Sequence, residues 1–94
     1  MISEKKLLIS VSNSFESYSF SSSDCYIQSS SGDVQILPGH SGMMTTIDSG
    51  LLKMQNCTSN NDTHHDNFII RVEGGVVKVA DDKVVVIAKK IILS

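Results

Sequence analysis

Apolar positions along this chain come in short runs broken by Ser, Asn, Asp and Gly, and the runs are rich in β-branched residues. That pattern predicts antiparallel strands. The 6–11 stretch carries Leu7, Leu8, Ile9 and Val11 and reads as a first strand. In 15–20 the residues alternate, with Tyr18 and Phe20 on the side predicted to face inward. A third strand is read at 24–29, and Ser29-Ser30-Ser31-Gly32-Asp33 follows as a turn. The strand expected at 34–37 ends at Pro38-Gly39, because proline has no N–H for a ladder.

Further on, 43–47 and 51–55 read as two strands joined by Asp48-Ser49-Gly50, and 56–67 as a polar surface loop. The stretch 67–72 reads as a strand that ends in a sharp turn or bulge at Gly74-Gly75. A hairpin across Asp81-Asp82 then joins 76–80 to 83–88. The last of these is a continuous apolar run, suited to a central strand buried on both faces or to a closing strand of a sandwich. Ile91, Ile92 and Leu93 either extend a strand or begin a helical turn. No long window holds a 3.6-residue period, so the expected fold is all-β, a two-layer antiparallel sandwich of about eight to ten strands spanning 1–94 as one domain.

Composition narrows the function classes. A net charge of −2 with interspersed signs, and only three Phe and two Tyr, leave little for nucleic-acid recognition. The opening residues lack a signal-peptide core, and no apolar stretch approaches the ~20 residues of a membrane helix. Cys25 and Cys57 show no metal-binding spacing and read as buried filler rather than a bridge. The triplets Asn56-Cys57-Thr58 and Asn61-Asp62-Thr63 match a glycosylation pattern that matters only in a secreted protein.

Candidate chemistry is sparse. His64-His65 between Asp62 and Asp66 offers metal-binding side chains. Adjacent residues on an extended chain point to opposite sides, however, so a solvated, mobile loop without metal is expected there. His40 next to Ser41 cannot form a nucleophile–base pair within a strand, and no nucleophile elbow or phosphate-binding loop occurs. No catalytic residue and no cofactor are expected.

One string stands out: Ile36-Leu37-Pro38-Gly39-His40, just after Gly32-Asp33. It resembles the most recognisable stretch of the epsilon subunits of F-type ATP synthases. Other pieces follow in the same order. Ser49-Gly50-Leu51-Leu52 resembles a Pro-Gly-hydrophobic-hydrophobic turn, with Ser49 in place of Pro. Residues 73–79 resemble Ser-Gly-Gly-Phe-x-Glu-Val, and 83–88 resemble the last strand of that family's sandwich. Departures include Gln35 for a glycine, Glu73 for serine, Val76 for an aromatic, and Lys89-Lys90 for an acidic pair.

The resemblance implies a non-catalytic rotor subunit at the foot of the central stalk. Such a sandwich binds the gamma subunit and touches the membrane c-ring, coupling ATP synthesis to proton transport. The implied contact residues are Gly32, Asp33, Pro38, Gly39 and His40, expected close together at one end of the sandwich. The implied location is peripheral, on the cytoplasmic face of a bacterial inner membrane. The family's C-terminal helical hairpin begins near where Ser94 stands, so coupling without inhibition by a tail is expected. The competing reading is an unrelated sandwich that binds a small ligand or peptide.

Overall fold

The computed structural model describes residues 6–29, 32–39, 42–59 and 63–93. Over the described residues it is an all-β sandwich of seven strands: β1 (Leu7–Ser12), β2 (Ser17–Ser22), β3 (Asp24–Ser29), β4 (Gly32–Ile36), β5 (Met43–Ser59), β6 (His64–Ala80) and β7 (Lys83–Leu93). The strands follow the order β2-β1-β7-β6-β5-β3-β4, with β2 also touching β5. The molecule measures 41 × 28 × 19 Å, and its short axis suits two sheets packed about 10 Å apart.

Seven strands replace the larger number read from the sequence because β5 and β6 are long. Asp48-Ser49-Gly50 is not a turn. Pairing runs in one register from Met43 opposite Val79 to Thr58 opposite His64, across Ile47–Gly75 and Ser49–Glu73. Gly50 is needed there because β3 comes so close: a Cβ on it would stand 2.7 Å from the Gln28 carbonyl. Gly74 does bend the chain, with φ of +65°, a conformation that side-chain-bearing residues seldom adopt. The ladders of β6 with both β5 and β7 skip a rung at Gly74. At this row β5, β6 and β7 pass from one layer into the other.

The first layer therefore comprises β2, β1 and the near halves of β7, β6 and β5. Here β1 lies parallel to β7, from Leu8 opposite Lys83 to Ser12 opposite Ile87. The second layer comprises β4, β3 and the far halves of β5, β6 and β7. At one corner β2 and β3 run past β5 in a single register, with a break at Ser22-Ser23. The hydroxyl of Ser22, the one buried polar residue among those described, shares its proton between the carbonyls of Gln55 (2.6 Å) and Asp24 (2.7 Å). The hydroxyl thus bridges the gap where the ladder breaks, beside the Ser23 N–H that Gln55 also accepts at 3.2 Å.

Between the layers lies one apolar cluster. Leu7, Ile9, Val11, Val77, Val79, Val84 and Val86 fill it from the first layer, and Cys25, Ile27, Ile36, Leu52, Met54, Ile70 and Val72 from the second. Tyr18 packs against this cluster and Phe20 is inside it, as their alternation predicts. Phe15 is not in a strand. The Asn13 side-chain oxygen accepts the N–H groups of Phe15 (2.8 Å) and Glu16 (2.7 Å), which closes a tight turn and leaves Phe15 93% exposed.

Two more expectations change. The 56–67 loop is mostly strand: Cys57 pairs with His65 and Thr58 with His64, while residues 60–62 lie outside the described ones. Its polar composition reflects an exposed ribbon rather than a loose segment. The run 83–88 is buried on one face only, since Val84, Val86 and Ala88 face in while Val85 and Ile87 face out. At the chain's end, Ile91 to Leu93 extend β7.

Candidate partner-binding surfaces

Of the residues singled out by sequence, the four that are described do not gather at one end. Gly32 pairs with Ser29 and Asp33 with Gln28 at the start of β4, while Ile36 pairs with Cys25 at its finish. Pro38 and Gly39 form a turn beyond that finish. Five residue steps of extended chain separate Asp33 from Pro38, roughly 16 Å. The pattern of short strand plus turns leaves the strand's direction open; β4 runs the full height of the edge, so its two ends are far apart. His40 lies outside the described residues.

At the first end, the Asp33 carboxylate accepts a hydrogen bond from the Tyr26 phenol at 2.8 Å. That bond, more than partial burial and the charge of Asp33, holds the Tyr26 pKa above its usual 10. The carboxylate is thus oriented across the β3–β4 edge rather than left to swing. At the other end, Gly39 takes φ of +89° and donates its N–H to the Asp82 carboxylate at 2.6 Å. Asp82 sits in the β6–β7 turn, where Asp81 and Asp82 have φ of +52° and +61°. This is the geometry of a two-residue hairpin turn.

A third surface was not read from the sequence. On the outer side of the first layer, Leu8, Met44, Val76, Val85 and Ile87 are all exposed, Met44 by 68% and Ile87 by 59%. Register brings them together: Ile87 lies opposite Val76, Val85 opposite Lys78, and Met44 next to Lys78 from the other side. The face runs into an open groove of about 680 Å3 at the bend, lined by Val76, Ile87, Asn13, Asp48, Gly74 and Lys89. The signal for it was present in consecutive apolar triplets such as Leu7-Leu8-Ile9 and Val84-Val85-Val86. A half-buried strand needs only every second one of these.

Reactive chemistry is muted. Among the described residues no three His, Cys, Asp or Glu side chains converge as a metal site would require. His64 is exposed, with its Nε2 3.4 Å from Asp66. The His65 ring instead packs on Phe68 at 4.7 Å. Cys25 and Cys57 are free and buried. Burial, helped by the charge of Asp24, pushes the Cys25 thiol up to about 12. Burial also raises Cys57, with Lys6 pulling the other way. Neither thiol is a nucleophile at neutral pH.

Comparison with known proteins places this geometry. The family model for the β-sandwich domain of the ATP synthase delta/epsilon chain matches residues 8–94. Among solved structures, one similar chain comes from the Euglena gracilis mitochondrial ATP synthase (OSCP/F1/c-ring), with a TM-score of 0.74 and 14% identity over 94% of this chain. Another comes from the central stalk and c-ring of the Tetrahymena thermophila mitochondrial ATP synthase, with a TM-score of 0.65 and 13% identity over 97% of this chain. The present chain spans about half (53%) of the Euglena chain and 69% of the Tetrahymena chain. Comparison with curated protein sequences finds no match.

Proposed function

The chain belongs to the ATP synthase delta/epsilon family as its β-sandwich domain, and we propose that it is a non-catalytic rotor component of the central stalk. It links the gamma subunit to the c-ring, so that proton flow through the ring drives ATP synthesis, and it is held at the membrane surface only through the complex. The structural neighbours, which come from stalk and c-ring assemblies, support this reading. The observation that carries it is the exposed apolar face of Leu8, Met44, Val76, Val85 and Ile87 on the first layer. Alternation already supplies the core from the inward side, so folding does not require apolar residues outside. A cluster of exposed apolar side chains on an outer face, here gathered around Lys78, marks an interaction surface.

Two stiff layers that share three long strands are suited to passing torque, since bending one layer strains the other. The two ends of β4 add a division of labour: Gly32-Asp33 at one end and Pro38-Gly39 at the other meet different partners. One of these ends faces the ring loops and the other faces gamma. The test is reconstitution of an ATP synthase stripped of its delta/epsilon-type subunit, with its cognate gamma and c-ring. Added chain should bind the stalk and restore ATP-driven proton pumping in vesicles. Failure of both refutes the rotor role and returns the sandwich to the class of free-standing binding modules.

A further inference from the structure

The Pro38-Gly39 turn and the β6–β7 turn lie 43 residues apart and meet through one bond, from the Gly39 N–H to Asp82 Oδ1 at 2.6 Å. The distance is at the short end for an amide on a carboxylate, as charge-assisted bonds are. Gly39 is exposed, and apart from its chain neighbours no described atom lies within 4 Å of where its Cβ would stand. Asp82 also fastens a second segment, because its own carbonyl accepts the Leu8 N–H at 3.0 Å. The residue has φ of +61°, which glycine adopts more readily than aspartate. A turn that needed only its shape would be served by glycine.

We propose that Asp82 is a positioning residue whose carboxylate presets the Pro38-Gly39 corner in the conformation that meets the stalk partner. The role rests on the reading of that corner as a partner contact. A corner ordered beforehand binds without having to lose freedom at the moment of contact. Asp82 thus acts through Gly39 and need not touch the partner. The turn, the start of β1 and the corner become one rigid end of the sandwich.

Two variants of the full chain separate this role from that of a mere turn residue. Asp82→Gly relieves the backbone and removes the carboxylate, whereas Asp82→Asn keeps an oxygen acceptor and tolerates positive φ. Amide exchange at Gly39 by NMR, and dissociation from the central-stalk subcomplex lacking this chain, are measured for each. In Asp82→Gly the thermal midpoint should hold or rise. Gly39 exchange should speed up roughly ten- to a hundredfold, and dissociation about fivefold or more. Asp82→Asn should stay within about threefold of the parent in both. A role confined to the turn predicts that Asp82→Gly changes neither. Unchanged Gly39 exchange in that variant overturns the bond, and faster exchange with unchanged dissociation overturns the positioning role. If the parent chain does not bind the stalk, the functional reading falls and the positioning role with it, while Gly39 exchange still decides whether the bond exists.

Discussion

On the outer side of the first layer the strands present Leu8, Met44, Val76, Val85 and Ile87 around Lys78, whereas the second layer intersperses Leu51, Ile69 and Ile92 with Asp24, Tyr26, Gln35, Lys53 and Arg71 in equivalent outward positions. Both layers bury the other half of the same alternation in one core. The inward half of each strand is dictated by folding, and the outward half is left to function. On the second layer that half is spent on solubility and on hydrogen bonds across the edge, such as Gln35 Nε2 to Asp24 Oδ2 at 3.3 Å. On the first a larger share of it is exposed apolar surface, although the core gains nothing from it. The two faces thus separate what the fold needs from what a partner needs.

The largest contrast lies between inward and outward positions. Leu52→Ala, at a site with no solvent exposure, should cost about 2–5 kcal/mol in urea unfolding. Ile87→Thr keeps a β-branched residue on the apolar face and should stay within about 0.5 kcal/mol of the parent. Equal losses would mean that Ile87 is part of the core, and the outer face would lose its meaning.

Next comes the contrast between the two outer faces. Ile87→Glu should weaken association with the central-stalk subcomplex at least about tenfold, or 1.4 kcal/mol, by placing a charge in an apolar contact. Lys53→Glu on the second layer should leave the affinity within about twofold. Titration calorimetry with the same stalk preparation reads both. The reverse ranking would move the docking surface to the polar face.

Smaller effects probe the seam between the layers. Ser22→Ala takes a donor from the Asp24 and Gln55 carbonyls, of which Gln55 O keeps the Ser23 N–H at 3.2 Å and the Ser23 hydroxyl at 3.1 Å. About 1 kcal/mol should be lost, measured by thermal unfolding. The buried thiol adds a pH dependence. Because the Cys25 pKa is raised from about 9 to about 12 in the fold, its contribution to stability is complete below pH 9 and is lost as pH climbs from 9 toward 12. Cys25→Ala should flatten that alkaline decline, whatever it costs at neutral pH.

Much of the fold was legible in the residues. The strand at 24–29 and the Asp81-Asp82 hairpin are found where turn chemistry and alternation place them, and the all-β class follows from the absence of any helical period. The failures share a physical cause. Asp48-Ser49-Gly50 carries turn residues, yet Gly50 serves a close approach of β3 that is invisible in sequence. The Val84–Ile87 run is uniformly apolar, so periodicity could not show which half faces out. The residues proposed for partner contact lie toward opposite ends of β4, where the sequence reading expected them together. The bond between Gly39 and Asp82, and the hold of Tyr26 on Asp33, depend on tertiary contacts that local patterns do not encode.

The central claim, that the apolar face of the first layer is the one covered in the stalk, is tested most directly by hydroxyl-radical footprinting of the chain, free and assembled. Met44 is exposed and readily oxidised, and Tyr26 provides the matching probe on the second layer. Assembly should protect Met44, together with Leu8 and Ile87, while Tyr26 remains as reactive as in the free chain. Protection of Tyr26 with Met44 unchanged would contradict the claim.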